Sequence, residues 1–492
     1  MKEGNSISAS MIYKTMERYL VMVFQLLVQI VIARILSPSE YGIVAMMVVF
    51  TNIAGIFINN GFNMAIVQKS KADSKDYSTA FSINMAIGVS LYVVLFFTAP
   101  FIEQFYEQEE MSRSLRVMAL LLIPGALNSI QIAIATREMK FGKLMKCNLT
   151  ASVFSGIMGI CSALMGLGYW ALIIQQLSQS VMLSVVLLGV MKWRPSFDYN
   201  KTSAKEMFVF GWKVLVAGLL NTVYNELNSL VIGKRYTSSD LAFYSKGKQL
   251  PHVLVTGVDT SIQSVVFSAM SKKQNDEKAL HGLLYKAINI NSFVLFFCLG
   301  TLAVIAKPLV IILLTEKWLP LLPFLYICCI TMAFHPYASA QVQAITAVGR
   351  SDIRLKIELL KKTIGIILLV MAVYLDCGPI GIAISAAVTS IISIVIGAVA
   401  CRITTNYPLR NIVRDIFPII VITSVMVGIM CPLLNWLNFN VIVSIFVGIV
   451  GCILIYWFES ALFKFYGYIY LKSTFLNNPR IAHIFLKQNK HD

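Results

Sequence analysis

Long apolar runs separated by short polar segments dominate this sequence. Each run is close to the 20 or so residues with which an α-helix crosses the hydrocarbon core of a bilayer. The pattern predicts an all-α polytopic membrane protein with about fourteen transmembrane helices. The runs lie near residues 12–34, 41–60, 80–102, 114–135, 148–168, 169–191, 207–232, 247–270, 285–306, 320–347, 356–375, 379–400, 415–435 and 439–460.

One part of this pattern occurs twice. The stretch from Phe24 to Lys71 aligns without a gap with the stretch about 200 residues later, mostly by residue class. Val31–Arg34 aligns with Val231–Lys234, and Ser37–Glu40 aligns with Thr237–Asp240. Six apolar runs fill one period, and an even number returns the chain to its starting side. We therefore predict two six-helix lobes that form a parallel repeat about an axis along the membrane normal.

This repeat sets the expected domain boundaries. We predict an N-lobe over 1–196 and a C-lobe over 197–404, joined by a basic linker. Two further helices would fill 405–460. The remainder, 461–492, is rich in tyrosine and lysine and is typical of a segment that lies on the membrane surface.

Composition supports this interpretation, and the placement of charge refines it. Apolar residues make up 57% of the chain, charged residues make up 13%, and the mean hydropathy is +0.74. The net charge of +17 suggests nucleic acid at first, but most of the basic residues fall on one side of the predicted helices. They therefore indicate a multi-pass protein of the cytoplasmic (inner) cell membrane with both termini cytoplasmic, whose basic loops contact anionic lipids rather than nucleic acid.

The nine cysteines form no C-x-x-C motif and no ligand spacing with histidine. We therefore expect no metal and no cofactor.

Polar side chains inside the apolar runs carry the candidate chemistry, because such groups are costly in hydrocarbon and normally face a cavity or a partner. They form stripes on helices 1, 2, 7 and 8, the helices that open each half. Four such stripes would enclose one hydrated cavity. They consist of Lys14, Arg18, Gln25 and Gln29; of Asn52, Asn59 and Asn63; of Lys213, Asn225 and Asn228 beside Glu226; and of His252, Asp259 and Gln263.

A simpler interpretation stays open for each of these residues. Membrane asparagine and glutamine often bond across a helix interface. The Lys14 ammonium can extend to the inner membrane surface, and Arg18 can form a salt bridge that only holds helices together. Ser37 and Glu40 match a capping box at the start of helix 2, which is first of all a structural signature.

Several motifs resemble a known family, the polysaccharide transporters of the multidrug/oligosaccharidyl-lipid/polysaccharide exporter superfamily, which includes the Wzx-type flippases. The resemblance extends from about residue 10 to about residue 400. It is found at Ala33–Gly42, Gly61–Lys69, Trp193–Pro195, Ile232–Lys234 and Gly349–Asp352. The chain departs from the family at Asn60, since many relatives have an acidic residue near the following glycine.

The resemblance implies a flippase that moves an undecaprenyl-diphosphate-linked oligosaccharide from the inner to the outer leaflet by alternating access. Lys14 and Arg18 would meet the diphosphate, and the amides of the stripes, together with Lys213, would bind the sugar head. Asp259, with His252 and Glu226, would couple transport to H⁺ or Na⁺. A polysaccharide polymerase is the expected protein partner.

Three other functions compete with this prediction. A cation-coupled drug or small-molecule exporter of the same superfamily would favour acidic and aromatic cavity groups, whereas the first stripe is basic and rich in amides. A membrane polysaccharide polymerase or ligase would bring a sizeable outer loop with catalytic residues, and the sequence predicts only short loops, so we expect no enzyme. A purely structural scaffold would leave the matched stripes unexplained.

Overall fold

A computed structural model describes residues 20–69, 72–273, 276–437, 439–463 and 465–476. Helices occupy nearly all of this part of the chain, and no strand occurs within it. The all-α fold class is therefore confirmed. Eleven of the described helical segments are long and apolar enough to cross a membrane. The predicted count of fourteen spans stays a prediction, because α10 and α14 do not meet that criterion and α1 is described only from Leu20.

The contacts divide the chain into two compact units, with the boundary along the chain between Ala242 and Phe243. The domain boundaries predicted from the sequence stay a prediction. The first unit contains α1 (Leu20–Ile35), α2 (Pro38–Asn59), α3 (Phe62–Gln68), α4 (Ser74–Tyr106), α5 (Met111–Ala119), α6 (Leu122–Arg137), α7 (Phe141–Leu164), α8 (Trp170–Val190) and α9 (Lys201–Arg235).

Helix α10 (Ser238–Lys272) begins in the first unit and continues into the second. The second unit then contains α11 (Glu277–Leu314), a 3₁₀ turn (Glu316–Leu321), α12 (Leu322–Ala333), α13 (His335–Ala347), α14 (Ser351–Tyr374), α15 (Gly378–Thr405), α16 (Leu409–Leu437), α17 (Val441–Leu462) and the short α18 (Tyr466–Leu476).

Each unit contains an apolar core of its own. In the first unit, α3, α4, α6 and α9 pack around Phe62, Phe81 and Ile130. In the second, α11, α16 and α17 pack around Phe293 and Met426. Many large apolar side chains outside these cores remain exposed, as expected for helices whose outer faces contact lipid.

Small residues bring the helices close together in the first unit. A Cβ on Gly156 of α7 would lie 2.7 Å from Val28 Cγ2 of α1, and a Cβ on Gly159 would lie 2.9 Å from Gln175 Cβ of α8. Within a bilayer, where lipid is as apolar as leucine, such close approach is a main source of helix association.

Candidate functional site

The second transmembrane segment is broken, and the break organises the candidate site. Helix α2 ends at Asn59 and α3 begins at Phe62, so Asn60 and Gly61 interrupt the backbone ladder. A break inside a span releases carbonyl groups that water cannot reach in hydrocarbon, and the protein must satisfy them itself. Interrupted helices are also where membrane transporters build binding sites.

Buried amides satisfy the released carbonyls. Asn63 Nδ2 donates to Ile58 O at 3.2 Å and to Asn59 O at 3.3 Å. Asn84 Nδ2, from α4, lies 3.1 Å from each of three acceptors, namely Ile58 O, Asn63 Oδ1 and Ser129 Oγ of α6. We call Asn63, Asn84 and Ser129 the amide node. It ties the break to two neighbouring helices inside the first unit.

The amide node bears on one predicted site residue. Asn63 is buried, whereas Asn59, four residues earlier, is exposed. The role of Asn63 as a substrate ligand stays a prediction. Its hydrogen-bond partners in the structure are those of a residue that stabilises the break. The sequence reasoning missed Asn84 and Ser129. The available signal was a polar residue inside an apolar run, Asn84 in 80–102 and Ser129, beside Asn128 and Gln131, in 114–135.

Helix α9 lies against the break at very short distances. A Cβ on Gly211 would come within 2.9 Å of Gly61 O, and a Cβ on Gly218 within 2.4 Å of Asn60 Nδ2. Only glycine fits at these two positions without a shift of the opposing group. Gly211 therefore lets the two backbones touch where α2 is interrupted, and Gly218 makes room for the Asn60 side chain.

Several polar side chains of α1, α2 and α9 are exposed or half-buried in the first unit. Asn52 donates from Nδ2 to Glu226 Oε1 of α9 at 3.0 Å. Lys213 of α9 is also exposed, although it lies about 9 Å inside the apolar run that begins near residue 207. We call this set the polar face; its members are Gln25, Asn52, Asn59, Lys213, Asn225 and the half-buried Glu226.

Gln29 points to a different role. Its Nε2 donates to Gln175 Oε1 of α8 at 3.1 Å, and Tyr41 Oη of α2 donates to Gln29 O at 3.2 Å and to its Oε1 at 3.3 Å. Gln29 thus bonds α1 to α2 and α8, which is the interhelical alternative that the sequence left open.

The other predicted residues are partly outside the described structure. Lys14 and Arg18 precede the described residues, and the side chains of Asp259 and Gln263 lie outside them. Asn228 is half-buried. His252 is exposed, and its Nδ1 lies 3.3 Å from Thr256 Oγ1 one turn later.

Ion pairs hold both ends of α9 to the first unit. Near its first residue, Glu206 lies 3.1 Å from Lys69 Nζ, which also lies 2.8 Å from Asp76 Oδ1. The hydrogen bond to Asp76 raises the pKa of Lys69 above its usual value. At the other end Lys234 Nζ lies 2.9 Å from Glu107, and this hydrogen bond lowers the pKa of the exposed Glu107 carboxyl.

The capping box predicted at Ser37 is present, the aligned turn at Thr237 forms one as well, and the two turns are in contact. Ser37 N donates to Glu40 Oε2 at 2.7 Å, and Thr237 N donates to Asp240 Oδ2 at 3.1 Å. Ser39 Oγ and Ser238 Oγ lie 3.0 Å apart. We call this meeting point the turn contact. It shows that the two turns matched by the repeat lie next to each other at the start of α2 and α10.

Within the described part of the chain, no group of three or more histidine, cysteine, aspartate or glutamate residues is arranged to hold a metal ion. The polar face has amide groups that can donate and accept hydrogen bonds, one exposed ammonium group and one carboxylate. Such groups bind hydroxyl-rich and anionic molecules.

Comparison with known proteins gives this geometry a context. The family model described as "Polysaccharide biosynthesis protein" matches residues 31–323, more than half of the chain. The teichuronic acid biosynthesis protein TuaB of Bacillus subtilis is 23% identical over 62% of this chain and 63% of its own length. The lipopolysaccharide biosynthesis protein WzxC of Escherichia coli is 20% identical over 67% of this chain and 68% of its own. The chain thus spans just under two thirds of the length of TuaB.

Solved structures share the fold. The lipid II flippase MurJ, in an inward closed conformation, superposes with a TM-score of 0.70 at 16% identity, over 92% of this chain and 98% of MurJ. An inward-facing multidrug resistance transporter of the MATE family gives a TM-score of 0.62 at 14% identity, over 81% of this chain and 99% of its own. At such identities the likeness shows the fold alone. The resemblance predicted from the sequence is confirmed by the family match, and this multi-pass membrane protein belongs to the polysaccharide biosynthesis protein family.

Proposed function

We propose that this protein is a flippase that carries undecaprenyl-diphosphate-linked oligosaccharide units from the inner to the outer leaflet for the synthesis of a surface polysaccharide. The observation that carries the proposal is the polar face, where exposed amides and Lys213 interrupt otherwise apolar helices. Family membership supports the same substrate class, and the fold is one that a lipid II flippase also has.

The residues of the polar face suit the two parts of this substrate. Sugars present hydroxyl groups, and Asn52, Asn59 and Asn225 offer both donors and acceptors to them. A diphosphate needs cations, and Lys213 supplies one inside the apolar region. Lys14 and Arg18 would meet the diphosphate at the cytoplasmic mouth. Gln25, Gln29, Asn63, Asn228 and Gln263 complete the proposed binding set.

We also propose that transport is coupled to H⁺ or Na⁺. Glu226 is the carboxylate of the polar face, and its bond to Asn52 places it between α2 and α9. Asp259, with His252 nearby in sequence, is the second candidate. An Asp259→Asn variant keeps the shape of the side chain and removes its charge. It should lose the dependence of transport on pH or Na⁺, and a variant with unchanged rate and ion dependence would argue against coupling there.

The finer topology belongs to the same proposal. The protein would lie in the cytoplasmic membrane with both termini in the cytoplasm, and its N-lobe and C-lobe would rock around the central cavity. A polysaccharide polymerase would receive the flipped unit. A reporter fused at Asn478 should remain cytoplasmic, and an external reporter would contradict this topology.

The decisive experiment measures flipping in vesicles. The purified full-length protein is reconstituted with a fluorescent undecaprenyl-diphosphate oligosaccharide, and the outward-facing fraction is followed with an impermeant quencher. Lys213→Ala should slow flipping at least about tenfold, since a charge-assisted hydrogen bond contributes about 1.5–3 kcal/mol. Arg18→Ala should abolish it, and Arg18→Lys should lose less because one cation remains.

Lys201→Ala is the matched control, because Lys201 is an exposed lysine at the first turn of the same helix. Its rate should equal that of the unmodified protein. Normal flipping by both Lys213→Ala and Arg18→Ala would refute the cationic contact to the diphosphate. Absence of any flipping by the unmodified protein would refute the proposed function itself.

A further inference from the structure

A groove between α16 and α17 in the second unit lies outside the proposed transport site. Its volume is about 740 Å³, within the range of cavities that hold small ligands. The lining side chains are apolar with one exception, Glu459. The apolar ones include Val421, Val425, Ile429, Leu454, Phe458 and Leu462. On a membrane helix pair, such a groove favours a hydrocarbon chain over water.

Glu459 makes the groove unlike an ordinary lipid-facing surface. It lies in the last turn of α17, where the partial charge of the helix end is negative and no basic residue is present. Its Oε2 atom is buried and has no hydrogen-bond partner among the described residues. Glu459 as a whole is half-buried, and its carboxylate is unfavourable in this position unless a cation or a hydrogen-bond donor meets it.

Aromatic side chains place this carboxylate at headgroup level. Trp457 and Tyr468 meet edge to face with ring centroids 6.2 Å apart, and Lys472 Nζ lies 5.8 Å from the centroid of Tyr468. Tryptophan and tyrosine rings concentrate where hydrocarbon meets the headgroups. Glu459 is only about 5 Å from the end of α17. The groove therefore has a charged end at the interface and an apolar body in the hydrocarbon.

We propose that this groove binds a phospholipid with a primary ammonium headgroup, of the phosphatidylethanolamine class. One acyl chain lies along Val425 and Leu454, and the ammonium group donates a hydrogen bond to Glu459. The charge of Glu459 selects this occupant. It repels the diphosphate of the proposed substrate and the headgroup of phosphatidylglycerol, and a quaternary ammonium group, as in phosphatidylcholine, has no N–H to donate.

Native mass spectrometry of the full-length protein tests the proposal. The protein is exchanged into mixed micelles that contain equal amounts of phosphatidylethanolamine, phosphatidylcholine and phosphatidylglycerol with identical chains, and the retained lipid is counted. Phosphatidylethanolamine should be retained roughly tenfold over each competitor, the size expected for one hydrogen bond to a charged group. Glu459→Gln should reduce this preference to less than about twofold.

Two further variants distinguish recognition of the headgroup by Glu459 from binding of the acyl chain in the groove. Glu316→Gln removes an exposed carboxylate of the same unit outside the groove and should leave the preference unchanged. Val425→Trp fills the groove and should lower retention of all three lipids. The proposal is overturned if Glu459→Gln keeps the preference, if phosphatidylglycerol is retained equally well, or if an undecaprenyl diphosphate displaces the bound lipid. The measurement needs no transport, so its outcome is independent of the proposed flippase activity.

Discussion

Replacing Gly42 by alanine should break the turn contact, because the position has no room for a single methyl group. A Cβ on Gly42 would lie 1.8 Å from Ser238 O, 2.3 Å from Ser238 C and 2.9 Å from Ser238 Cα. All three atoms belong to the backbone, so no side-chain rotation relieves the clash. The start of α10 would have to move by about 1.6 Å to restore an ordinary contact, and overpacking of this kind costs about 1–3 kcal/mol.

Helix propensity acts in the opposite direction. Gly42 lies inside α2, where alanine is favoured over glycine by about 1 kcal/mol. Gly189 of α8 is exposed and a Cβ there meets no atom within 4 Å, so Gly189→Ala receives the propensity gain alone. Gly42→Ala should therefore be less stable than Gly189→Ala by about 1–3 kcal/mol, the cost of the clash.

The assay is unfolding of the purified protein by sodium dodecyl sulfate in mixed micelles, followed by circular dichroism. A second readout reports the contact directly. Ser39→Cys combined with Ser238→Cys should form a disulfide readily, since the two hydroxyl oxygens lie 3.0 Å apart. Added Gly42→Ala should slow the crosslink. Equal stability of the two alanine variants, together with unchanged crosslinking, would refute the assignment of Gly42 to this contact.

Two further predictions concern the first unit. Asn84→Leu should destabilise it by about 1–3 kcal/mol, because Ile58 O and the Asn63 amide oxygen lose a buried donor. The control is Ser82→Ala, which removes only a hydrogen bond to the preceding turn. Equal unfolding curves for the two variants would contradict a stabilising role of the amide node. Glu107→Gln should lower stability slightly at neutral pH. Because the pKa of Glu107 is lowered in the folded protein, its contribution is present above the unfolded glutamate value, about 4.3, and is lost as pH falls through the lower folded value. The two unfolding curves should converge at acidic pH, and a gap that widens there would contradict the ion pair with Lys234.

Locally encoded features were predictable from the sequence. The apolar runs coincide with helices because the length and composition of each run determine that it forms a membrane helix. The turns at Ser37 and Thr237 carry their own capping groups, so their geometry follows from four residues. The family resemblance rested on these same local motifs.

Side-chain direction around the break could not be predicted in this way. The expected stripe on helix 2 assumed one unbroken helix, which would put Asn59 and Asn63 on one face. The interruption at Asn60 and Gly61 changes the helical phase, so Asn63 turns into the core while Asn59 stays exposed. The side chains and backbone at the interruption contact α4, α6 and α9, which are distant in sequence, so a pattern within one segment does not show them.

The position of α9 has a consequence for how the chain is made. Glu206, Gly211, Gly218, Glu226 and Lys234 attach this helix along its whole length to segments that are synthesised first. The first unit therefore stays incomplete until the ribosome has passed residue 235. Until then the interrupted second segment lacks the helix that covers its break. A chain divided within the 192–200 linker would release an early fragment with that surface open, whereas a division after residue 242 would keep the partners together. During synthesis, assembly of the first unit should therefore wait until the seventh predicted span, which corresponds to α9, has been made, and should not be complete after the sixth.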